Sequence, residues 1–90
     1  MAVAEGPYDE RQVRALEWYQ EQAPALTIEV EKALDSKRAV AISSVMLRVR
    51  EAIDTLTAAG LPPHPNAEQL YTELRRALQR AEADTWPRQL

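Results

Sequence analysis

ALTIEVEKALDSKRAVAISSVMLRVREAIDTLTAA, from Ala25 to Ala59, runs for thirty-five residues without glycine or proline. Pro24 stands before it, and Gly60, Leu61, Pro62 and Pro63 stand behind. Glycine and proline are the strongest local interruptions in a chain, so an uninterrupted run with so sharp a stop predicts helix throughout. The alternation in Leu26-Thr-Ile-Glu-Val-Glu31 also fits a half-buried strand, but no second segment offers a pairing partner. Helix is the better reading.

Two apolar stripes run along this stretch. Leu26, Val30, Ala33, Val40 and Leu47 form one; Ile42, Val45, Met46, Val49, Ile53 and Leu56 form the other. At about 100° per residue the second stripe fills about 100° of arc and the first lies opposite it. The buried face therefore changes sides near residues 36 to 42. Either one long helix packs against different neighbours in its two halves, or the chain breaks at Asp35-Ser36, whose side chains favour caps and turns. With no glycine or proline there, the continuous or kinked helix is preferred.

Flanking signals complete the outline. Asp9 fits an N-cap, with Gln12 three residues on for a capping box and Tyr8 and Val13 as a hydrophobic staple. A first helix is expected from Asp9 to about Gln22, with Val13, Leu16, Tyr19 and Ala23 on its inner face and Pro24 as its stop. Gly60 fits the left-handed position after the central helix, with Leu61 folded back on Leu56. Asn66 and Gln69 suggest a second capping box opening a last helix over residues 67–85. That helix would be buried through Leu70, Leu74, Ala77, Leu78 and Ala81, forming an antiparallel hairpin with the central one. The expected fold is all-α: a small antiparallel bundle of three helices, or four if the centre breaks, with a long central helix. It spans residues 1–90 as one domain, with a flexible lead (1–7) and tail (87–90).

Composition narrows the function. Of 41 hydrophobic residues 15 are alanine and none is phenylalanine, so the core is thin and a 90-residue chain of this kind gains from self-association. Net charge is -3, which gives no general attraction to phosphate backbones or anionic lipid. There is no cysteine, and no apolar run reaches the roughly 20 residues of a membrane span. A soluble, cytoplasmic protein is expected.

Catalytic constellations do not assemble. His64, the single histidine, sits among prolines without a nameable nucleophile or carboxylate partner, and reads as an exposed loop residue. Ser36, Ser43 and Ser44 lack a base, and no Glu-x-x-His pair suggests a carboxylate-bridged metal. With Gly6 and Gly60 alone, phosphate-binding glycine loops are excluded. The expectation is no enzyme, no cofactor and no metal.

Charge and aromatics point instead to a partner. Residues 1–35 hold eight acids and three bases, whereas residues 36–65 hold four bases and two acids, a polarity that suits docking within a chain or across a dimer. Trp18 falls off the inner stripe of the first helix, one turn after Arg14, and Trp86 falls off that of the last. Large aromatics off the core are enriched where partners bind. The expected function is a non-enzymatic interaction module, a small adaptor or regulatory protein acting as a homodimer. Its interface would draw on Trp18, Arg14, Leu26, Val30, Val40, Leu47 and Trp86. A DNA-binding regulator using Arg75, Arg76, Arg80, Lys37 and Arg38 is the alternative, although Glu73 and Asp84 stand at pairing distance from those arginines along the helix. A structural subunit of a larger particle is a further one.

Overall fold

A computed structural model describes residues 8–85 of the chain. The expectations for residues 1–7 and 87–90, and for Trp86, lie outside the described residues. Three helices, α1 (Glu10–Ser36), α2 (Ala39–Ala58) and α3 (Pro65–Thr85), pack up, down and up. The described residues contain no strand.

The opening of α1 follows its local signals. Gln12 N–H donates to Asp9 Oδ1 at 2.9 Å and Asp9 N–H to Gln12 Oε1 at 3.1 Å, the reciprocal capping box. Tyr8 and Val13 remain exposed, so the inner face of α1 begins at Ala15 and continues through Tyr19, Leu26, Val30 and Ala33. Leu16 and Ala23 are partly buried against it.

Proline 24 does not end the helix, contrary to the sequence expectation; α1 passes straight through it. An interior proline costs about 3 kcal/mol because it removes one backbone donor and crowds the preceding turn. Pro24 and Gln20, whose carbonyl loses that donor, both face solvent, so water can satisfy the orphaned group. The inner face on either side of the proline is one continuous stripe. Burying Leu26 and Val30, each worth about 1.5–3 kcal/mol, offsets the cost.

The central stretch breaks instead at Ser36–Arg38, so the long central helix of the sequence reading is replaced by a turn between α1 and α2. No glycine makes this turn. Ser36 Oγ donates to the Ala33 carbonyl at 2.7 Å and accepts from Arg38 N–H at 3.1 Å. Lys37 takes the left-handed conformation, with φ 57° and ψ 22°. That conformation costs a non-glycine residue about 1–2 kcal/mol. In return the break rotates Leu26, Val30 and Ala33 onto the same core as Ile42, Val49 and Leu56, which a continuous helix would have placed on opposite sides.

At the far end of α2 the local reading holds. Gly60, at φ 84°, donates to Thr57 O at 2.9 Å, and Leu61 N–H donates to Leu56 O at 3.2 Å, the paired bonds of a Schellman motif. Leu61 is buried beside Leu56. Helix α3 begins at Pro65, with its N–H-free residue in the first position and Glu68 N–H bonded to the His64 carbonyl at 2.9 Å. Asn66 is thus inside the helix and not its cap; its side chain is used elsewhere. Leu70, Leu74 and Ala81 are buried as expected, with Ala77 and Leu78 partly so.

Candidate interaction surface

Packing of α2 leaves one side of it bare. Ile42 and Val49 are fully buried, and Val45, Met46 and Ile53 pack beside them. Val40 and Leu47, two turns apart on the opposite side, are 74% and 64% exposed. Ala39, Ser43 and Ser44 lie between and beside them, and Leu78 of α3 borders the patch, giving a shallow depression of about 360 Å³. The serines are small and exposed, so another helix could approach closely at this point.

Leu26 and Val30, assigned to the same outward stripe by sequence, are instead 5% and 1% exposed. The turn at Lys37 resets the helical phase, so they face inward while Val40 and Leu47 stay outside. These two residues are corrected from interface to core.

Trp18 stays off the buried core. It is an exposed large aromatic, with 36% of its surface open, and lines a groove of about 200 Å³ between α1 and α2 with Leu26, Arg48, Ala52 and Thr55. Arg14 pairs with Glu10 at 2.8 Å on the open surface, a pair worth little in water. Among the described residues one ion pair crosses between helices: Arg48 to Glu29 at 2.9 Å, joining α2 to α1 beside the same groove.

The basic residues divide. Lys37, Arg76 and Arg80 converge on a cleft at the end of the bundle where α1 turns into α2. Arg38 and Arg75 are exposed but do not line it. Among the described residues none of these five has an ion pair, and Glu73 is bonded to Gln69 instead; the Asp84 side chain lies outside the described residues.

His64 carries the feature that sequence reasoning missed. It is half-buried, not exposed, with its ring centroid 4.6 Å from that of Tyr19 at 48°. Its Nδ1 is buried without a hydrogen-bond partner. The Tyr19 hydroxyl donates to Asn66 Oδ1 at 2.7 Å, and burial pushes the phenol pKa above its ordinary value of 10.0. Pro65 was the available signal: a proline in the first position of α3 fixes His64 immediately before the helix, against α1. The ensemble reads as a structural pin. Among the described residues no three His, Asp or Glu side chains converge as a metal site would require. No described helix is long and apolar enough to cross a membrane.

The bare Val40–Leu47 face and the basic cleft are the two surfaces to be explained from geometry alone: no protein family, curated protein or solved structure matches the chain.

Proposed function

We propose that this chain is a non-enzymatic helical interaction module, a small adaptor or regulatory protein of the cytoplasm, that acts as a homodimer through the outer face of α2. The observation that carries the reading is the exposure of Val40 and Leu47 on either side of Ser43 and Ser44. Two large aliphatic side chains left in water on so thin a core favour association. An antiparallel two-fold crossing at the serines would set Val40 of each copy against Leu47 of the other, the self-complementary arrangement that a closed dimer requires. The patch is small beside a standard interface, so dissociation in the micromolar range is expected. The same face would serve a subunit of a larger particle.

Because the chain has no cysteine, cross-linking can be placed at will. Ser44→Cys should form a disulfide-linked dimer rapidly under mild oxidation, whereas Gln69→Cys on α3 should not. Equal rates at the two positions would contradict the proposed crossing.

Nucleic-acid regulation is the second reading, supported by the convergence of Lys37, Arg76 and Arg80. It is weaker because Arg38 and Arg75 stand apart from them and the chain is acidic overall. Phosphate binding would appear as affinity falling steeply with salt.

A further inference from the structure

The cleft at the α1–α2 turn encloses about 550 Å³, within the range of small-molecule sites. Ile42 closes its floor, and Leu34 and Ala77, both half-buried, form apolar walls. Its mouth is cationic. Arg76 and Arg80 stand one helical turn apart on α3, and Lys37 faces them from the turn.

Among the described residues none of these three charges has an ion-pair partner. Glu73, the one acid lining the cleft among the described residues, accepts from Gln69 at 3.4 Å and forms no ion pair with Arg76. Helix α2 starts at this end with no side-chain cap and no acid in its first turn, so its free N–H groups add to the positive side. The carbonyl ends of α1 and α3 offset part of this, most strongly at Lys37; that influence fades within the last turn, and Arg76 lies more than two turns from the end of α3.

We propose that this cleft binds an amphiphilic carboxylate, its aliphatic chain against Leu34 and Ala77 and its head group held by Arg76 and Arg80, with Lys37 across the mouth. Guanidinium groups match a carboxylate with paired hydrogen bonds, and the apolar walls need a hydrocarbon to cover them. Glu73 and the chain's net charge of -3 disfavour a densely charged polyanion in the same place.

The test titrates the full chain with decanoate, decanol and decyltrimethylammonium below their micelle concentrations, following amide chemical shifts by NMR. Decanoate should saturate one site with shifts centred on Leu34, Lys37 and Ala77, and decanol should bind at least tenfold more weakly. The cationic amphiphile should not compete. Arg76→Gln combined with Arg80→Gln should weaken decanoate about tenfold or more while leaving decanol unchanged. Both arginines are exposed, so helicity by circular dichroism should be preserved; Lys37→Gln gives an independent variant from a different element. Equal affinity for decanoate and decanol, non-saturating uptake, shifts centred on Val40 and Leu47, or binding of a short DNA duplex in place of decanoate would each overturn the proposal.

Discussion

The Tyr19 hydroxyl donates a 2.7 Å hydrogen bond to Asn66 Oδ1, tying the middle of α1 to the first turn of α3 across 47 positions of sequence. With the His64 ring stacked obliquely on Tyr19 and Gln12 Nε2 donating to the Gly60 carbonyl at 3.1 Å, it fixes one end of the bundle. Helices α1 and α3 touch each other less than either touches α2, so a polar pin there sets their register.

Tyr19→Phe should remove this bond and leave Asn66 Oδ1 without its protein donor. A loss of about 1 kcal/mol is expected in urea denaturation. Combined with Asn66→Ala, the losses should fall short of additive, because both changes remove the same bond.

Tyr19 also gives a pH dependence with a definite sign. Burial raises its folded-state pKa above the ordinary 10.0, so the unfolded chain releases the phenol proton first. The stabilisation is fully present below pH 10 and is lost as pH climbs through the raised folded value. Urea midpoints measured from pH 8 upward should show a decline above 10 that is smaller in Tyr19→Phe.

Gly60→Ala should destabilise by about 1–2 kcal/mol. The residue sits at φ 84°, and an added Cβ would lie 3.2 Å from Gln12 Nε2, disturbing the bond between Gln12 and the Gly60 carbonyl. Thermal denaturation would check this, and an unchanged midpoint would contradict it.

Pro24→Ala should stabilise the protein by about 1–3 kcal/mol, since α1 already runs through the position and the substitution restores a backbone donor to the Gln20 carbonyl. Lys37→Gly should also stabilise, by up to about 1 kcal/mol, by relieving the left-handed strain. A rise in melting temperature with unchanged helicity is the expected result for each. A fall for Pro24→Ala would mean that the proline shapes α1 in a way the inner-face argument misses.

Those two positions also show how far sequence was legible. The capping box at Asp9 and the Schellman motif at Gly60 depend on residues within one turn of each other, so local chemistry announces them. Pro24 and Ser36–Lys37 were decided by burial: the helix tolerated its breaker where both halves shared a face, and broke without one where they did not. The outward exposure of Val40 and Leu47 was readable because their phase relative to Ile42 is fixed within α2. The inward orientation of Leu26 and Val30 was not, since it depends on the turn at Lys37. The basic cleft draws on α1, the turn, α2 and α3 together, so no single stretch of sequence could display it.

Sedimentation equilibrium on the intact chain and on Leu47→Glu tests the bare face of α2 most directly. Wild type should dimerise reversibly at micromolar concentrations, and the variant should be monomeric at those concentrations with the same helical content. A wild-type monomer across that range, or a dimer indifferent to the glutamate, would contradict the account.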